Sequence, residues 1–252
     1  MFWKINSKRG VEAMAFLLNN IHKKFGELYV LKDLSMRLEE HKLICILGPS
    51  GCGKTTLLNI IADLDNDYEG EILVGQQHAH PKIGYIFQNP RLLPWRTVRE
   101  NIELALDSHQ SAAIIDPLLE VMQLTQSQHV YPERLSLGMS RRVSIIRAFA
   151  VDPDLLLMDE PFVSLDAPTA RQVRDLLLKL WQERPHTVLF VTHDLREAIV
   201  LADRLIFLSA APMTVISEIT VPIPRAERHN ENAIEAFRQQ LINDYPDIKK
   251  LL

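Results

Sequence analysis

The sequence predicts an α/β fold: a mostly parallel sheet core, an antiparallel strand region at its N-terminal end, and a helical lobe inserted into it. Three observations carry this. Residues 43–47 (Leu43, Ile44, Cys45, Ile46 and Leu47) form a continuous apolar run, as expected of a strand buried on both faces. A glycine-rich loop follows at once, and then a helical apolar stripe. From residue 155 onward, strand and helix patterns alternate, which implies parallel pairing through right-handed crossovers.

In chain order, residues 16–18, 29–31 and 34–38 read as short strands with turns, ahead of the strand at 43–47. Residues 55–64 read as a helix whose stripe is Leu57, Leu58, Ile60 and Ile61. Residues 71–74 and 83–87 are two more strands. From about 89 to 150 the pattern turns helical, broken by Pro90, Pro94, Pro117 and Pro132, with candidate helices at 101–106, 114–124 and 139–150. Strand 155–158, helix 169–183, strand 187–192, helix 195–202 and strand 205–208 follow. The tail from 211 reads as a hairpin at 213–221 and a helix carrying Ile234, Phe237 and Leu241. Residues 15–252 are expected to form a single domain. Residues 1–14 read as a short leader, with Met14 as an alternative start.

The composition narrows the class. A chain of 252 residues that is 47% hydrophobic and 24% charged can bury one substantial core. A net charge of -4 argues against a nucleic-acid partner. Cys45 and Cys52 are too few for a disulfide framework and lack metal-ligand spacing, which fits a reducing, cytosolic compartment. No run approaches the roughly 20 apolar residues of a membrane span.

The chemistry concentrates in two places. Gly48, Pro49, Ser50, Gly51, Cys52, Gly53, Lys54 and Thr55 make a complete phosphate-binding loop in its required context of strand, loop and helix. The glycines let successive N–H groups turn inward, and the helix N-terminus completes an anion cradle. Lys54 can reach the outer phosphates, Thr55 can ligate magnesium, and Thr56 can bond a phosphate oxygen. Cys52 sits within the loop, so its alkylation is expected to block nucleotide access. The second place is the apolar strand at 155–158, which runs into Asp159 and Glu160 and is broken by Pro161. Asp159 suits magnesium, and Glu160 can act as a base toward water, a role typically worth about 10²–10⁴-fold.

Further residues go beyond a generic phosphate-loop protein. Gln88 ends a strand; Leu135, Ser136, Leu137, Gly138 and Met139 precede a helix; Ser164, Leu165 and Asp166 follow the carboxylate strand; His193 and Asp194 end another strand. In this order the chain resembles the ATP-binding subunit of an ABC transporter from about residue 15 to residue 208. The resemblance implies ATP and Mg²⁺ as cofactors. It implies that Phe25 stacks on adenine, although a core phenylalanine is the other reading. It makes residues 48–56 the Walker A loop, and Asp159 and Glu160 the metal carboxylate and catalytic base. Gln88 would touch magnesium and the attacking water, His193 the γ-phosphate, and Asp166 the dimer interface. Residues 135–139 match the signature that reaches ATP on the opposite subunit. Leu137 departs from it, because the family places glycine there. If that position needs a left-handed backbone, leucine costs roughly 1–2 kcal/mol, so turnover is expected to be weakened but present.

The segment 87–98, with Pro94 and Trp95, is similar to the nitrate, sulfonate and taurine importer branch. Trp95 would then be an exposed contact for a permease, or else would pack the helical lobe. The implied assembly is two such subunits, identical or closely related, on the cytoplasmic face of the membrane, with permease subunits and an extracytoplasmic solute-binding protein. An ABC ATPase for export or lipoprotein release, and a non-transport ABC ATPase, are the alternatives. Pro94 and Trp95 disfavour the first; the short insertion and lone cassette disfavour the second.

Overall fold

The computed structural model describes residues 15–75 and 81–249. The leader at 1–14, and Met14 as its alternative boundary, lie outside the described residues. The strands are β1 (Phe16–Phe25), β2 (Leu28–Leu38), β3 (Leu43–Leu47), β4 (Glu69–Val74), β5 (Ile83–Ile86), β6 (Leu155–Asp159), β7 (Thr187–Thr192), β8 (Arg204–Leu208) and β9 (Val215–Thr220). The helices are α1 (Lys54–Ile61), α2 (Val98–Glu103), α3 (Ile115–Val121), α4 (Leu137–Ala150), α5 (Ala167–Glu183), α6 (Leu195–Leu201), α7 (Glu231–Asp244) and α8 (Pro246–Lys249).

The central sheet has the order β5-β6-β7-β3-β8-β9 and is parallel except for β9, which runs antiparallel to β8. A second sheet, β2-β1-β4, is antiparallel throughout. The apolar strand runs of the sequence are explained by what covers each face. Ile44, Ile46, Leu155, Leu157, Leu189 and Val191 point toward α1 and the antiparallel sheet. Cys45, Leu47, Leu156, Met158, Val188 and Phe190 point the other way, into a core shared with α2 to α7. Every residue of β3, β6 and β7 is buried. Full burial of a large apolar side chain is worth about 1.5–3 kcal/mol, so these three strands anchor the C-terminal edge of the sheet firmly.

Three sequence readings need correction. The short strands at 16–18, 29–31 and 34–38 are parts of two long ones. Asn20 and Asp33 each take φ of 50°, and the β1–β2 register shifts between Leu18 and Lys24, which interrupts the alternation a strand normally shows. The first helix of the 89–150 region starts at Val98, not at 101. Thr97 and Glu100 form a reciprocal capping box that sets its start. Residues 213–221 do not form a hairpin of their own; they supply β9, which folds back on β8. The helix with Ile234, Phe237 and Leu241 is α7, and all three side chains are buried. Among the described residues, no helix is long and apolar enough to cross a membrane.

Candidate nucleotide site

The phosphate loop leaves the C-terminal end of β3. Gly53 takes φ of 117°, and a Cβ there would lie 2.6 Å from Val30 Cγ1, so the position tolerates only glycine. No side chain caps α1, which leaves its first N–H groups facing the loop. Lys54 is buried at 7% exposure, and its Nζ donates to the carbonyls of Gly48 and Pro49, each at 2.8 Å. Those two bonds hold the ammonium across the mouth of the loop.

β6 delivers the carboxylates beside it. The Thr55 hydroxyl donates to Asp159 Oδ2 at 2.9 Å. Burial pushes the Asp159 carboxyl up; the Thr55 bond and Lys54 oppose this, while Glu160 adds to it. Glu160 has φ of 44°, a left-handed conformation that costs a non-glycine residue roughly 1–2 kcal/mol. That turn swings its side chain out of the strand direction. Gln88 Nε2 donates to Glu160 Oε2 at 3.4 Å, and His193 Nδ1 lies 3.4 Å from Oε1. One carboxylate thus gathers residues from the ends of β5, β6 and β7. A cleft of about 300 Å³ is lined by Ser50, Gly51, Gly53, Lys54, Thr55, Thr56, Gln88, Asp159 and Glu160. The Thr55 hydroxyl, Asp159 carboxylate and Gln88 amide are hard oxygen donors of the kind that suit magnesium.

Three side chains fix the segment on both sides of Gln88, and sequence reasoning missed the role of each. Arg141 donates to Phe87 O at 2.9 Å, and Arg147 donates to the carbonyls of Pro90 and Arg91. Asn101, 1% exposed, donates to the carbonyls of Leu93, Arg96 and Thr97 and accepts from Leu93 N. This scaffold leaves Trp95 68% exposed, so it does not pack inside the helical region. Asn101 stands in the polar run Arg99, Glu100, Asn101, so only its burial in the folded chain sets it apart.

Several predicted residues lie away from the cleft. Phe25 is exposed at the end of β1, with Lys23 Nζ 4.9 Å from its ring centre, so the core reading is ruled out. Cys52 faces inward: it is 3% exposed and its Sγ is 3.7 Å from Met213 Sδ. The thiol lies beneath the loop and burial pushes its pKa up, so it is poorly placed for alkylation. Ser136 is the N-cap of α4, accepting from Met139 N at 3.2 Å. Leu137 is the first helical residue, without positive φ, so the expected left-handed cost does not arise. It is 44% exposed. A Cβ on Gly138 would come 2.6 Å from Thr169 Cγ2, so α4 packs closely on the start of α5. Asp166 caps that helix, accepting from Thr169 N and Oγ1. Residues 135–139 and Asp166 thus form a second assembly, apart from the cleft lining.

A glycine loop between a buried strand and a helix, with a threonine–aspartate bond and a base at the next strand end, defines a P-loop nucleoside triphosphatase. The comparisons narrow this. The family described as ABC transporter matches residues 31–163. The aliphatic sulfonates import ATP-binding protein SsuB of Bacillus cereus is 39% identical over 241 residues, covering 92% of this chain and 96% of that protein. The nitrate import ATP-binding protein NrtD of Synechococcus elongatus is 38% identical, covering 83% of this chain and 80% of that protein. A solved dimeric bacterial ABC transporter cassette, MJ0796, matches with a TM-score of 0.71 at 32% identity, covering 83% of this chain and 100% of that one. The chain belongs to the ABC transporter family and is an ATPase of its cassette type.

Proposed function

We propose that this chain is the ATP-hydrolysing subunit of an importer that carries a small sulfonate- or nitrate-like solute through a separate permease. The observation that carries the hydrolytic part is the convergence of Gln88 and His193 on Glu160 at the mouth of the phosphate cleft. The import part rests on the relatives above, whose names describe sulfonate and nitrate import. Residues 15–252 act as one ATPase domain, with residues 89–150 as its helical lobe.

Each residue then has a task. The N–H groups of residues 50–56 and the Lys54 ammonium hold the phosphates. Thr55, Asp159 and Gln88 hold magnesium, which supplies charge neutralisation on the phosphate oxygens. Glu160 accepts the proton of the attacking water, Gln88 orients that water, and His193 donates to the terminal phosphate. Phe25 stacks on the base, and its exposure supports this. Two cassettes face each other, and Ser136 and the α4 N-terminus of one meet the nucleotide held by the other. The dimeric state of the matched cassette supports this arrangement. Trp95, with half-buried Leu92 and Leu93, docks the permease at the cytoplasmic face of the membrane. An extracytoplasmic solute-binding protein delivers the solute.

The test is reconstitution with the co-purified permease in vesicles, followed by uptake of a labelled alkanesulfonate and of nitrate. ATP-dependent uptake of either, abolished by Lys54→Ala, is the expected result. Hydrolysis with uptake of neither would reject the assigned solute class.

A further inference from the structure

We propose that Glu197 is a positioning residue for His193: it holds the Thr192 hydroxyl, which holds the Asp194 amide, so the backbone is fixed on both sides of the imidazole that meets Glu160. The proposal rests on the reading of Glu160 and His193 as hydrolytic residues.

The geometry is a closed circuit at the junction of β7 and α6. Thr192 Oγ1 donates to Glu197 Oε2 at 2.5 Å. The same hydroxyl accepts from Asp194 N at 3.2 Å. The Asp194 carboxylate caps α6 by accepting from the N–H groups of Arg196 and Glu197, at 2.8 and 3.2 Å. His193 lies inside this circuit but takes no part in it. Its side chain is 59% exposed, so packing does not set its direction; the backbone on either side does.

Energetics point the same way. Glu197 is set back from solvent, and burial pushes its carboxyl up to about 7. The Thr192 bond opposes that shift, as do Arg174 of α5 and His193, while Asp194 adds to it. Cys45 of β3 also feels its charge. An apolar side chain here would avoid the desolvation cost, so fold stability alone does not explain a glutamate. A short bond to the residue next to His193 does. Glutamate at 197 carries no sequence signature of this role. Only its placement in the first turn of α6, folded back on the end of β7, brings the two together.

The experiment is steady-state MgATP hydrolysis, with Tm, for Glu197→Leu, Glu197→Gln, Thr192→Val, His193→Ala and the His193→Ala/Glu197→Leu pair. Glu197→Leu is expected to lower kcat by about tenfold, with KM within about twofold and Tm equal or higher. Thr192→Val should reproduce that loss. Glu197→Gln keeps an acceptor and should stay within about threefold of the unaltered chain. In the His193→Ala background, Glu197→Leu should add no further loss, because its effect passes through the imidazole. Additive losses, or a glutamine variant as impaired as the leucine one, would overturn the positioning role while leaving His193 in place. If His193→Ala alone keeps full kcat, the hydrolytic role of His193 falls, and this inference with it.

Discussion

The phosphate loop and the 135–139 segment both sit at a helix N-terminus, yet they are built in opposite ways. At α1 no side chain caps the helix, a left-handed Gly53 turns the chain, and a buried lysine closes over the loop carbonyls. At α4 the Ser136 hydroxyl already accepts the Met139 N–H, and an exposed leucine follows. The first lines a cleft with residues of its own chain. The second stands apart from it, packed through Gly138 on the start of α5. An anion at α1 finds free donors; an anion at α4 must share them with the serine cap. A preformed pocket thus coexists with a capped helix start that, on the proposed reading, is a half-site finished by the opposite subunit.

The acids on the two sides differ in the same sense. Burial raises the Asp159 carboxyl, whereas the Thr169 N–H and hydroxyl lower that of Asp166. The folded state therefore resists ionisation at Asp159: the stability this group lends is present at low pH and lost as pH rises through its raised value. Asp166 has the opposite sign, lending stability above the ordinary aspartate range and losing it as pH falls.

This contrast can be broken or sharpened by substitution. The largest effect belongs to Lys54→Ala, which removes the ammonium from the loop. Hydrolysis should fall by at least about 100-fold, read by phosphate release, with MgATP binding lost in calorimetry. Asp159→Asn should follow: hydrolysis falls steeply while Tm at neutral pH rises, since a buried charge is removed. A fall in Tm would mean that the Thr55–Asp159 bond outweighs the desolvation. Leu137→Gly should raise nucleotide-driven dimerisation or turnover a few-fold, by roughly 1 kcal/mol or less, if the leucine side chain crowds the half-site. No change would show that the backbone N–H suffices. Ser136→Ala should cost about 1 kcal/mol of stability through the lost cap, seen as a fall in Tm of roughly 2–4 °C.

The same division explains what the sequence made legible. Strands β3 and β6 were plain because both faces are covered, which enforces uninterrupted apolar runs, and the loop was plain because only glycine tolerates its backbone. Position within the chain did not reveal that Cys52 points down at Met213 while its neighbours face the cleft. The long β1 and β2 were hidden by positive φ at Asn20 and Asp33, which breaks the period of two. The start of α2 is legible in the capping pair Thr97 and Glu100. The partner of β9 and the link between Thr192 and Glu197 were not legible, because both depend on tertiary placement.

The most direct measurement is the oligomeric state of Glu160→Gln with MgATP, by light scattering beside phosphate release. With the base removed and the phosphate loop intact, the chain should retain ATP and accumulate as a dimer, with hydrolysis reduced by about 10²–10⁴-fold. Continued fast hydrolysis by a monomer would contradict both the role of Glu160 and the closing of one cassette on another.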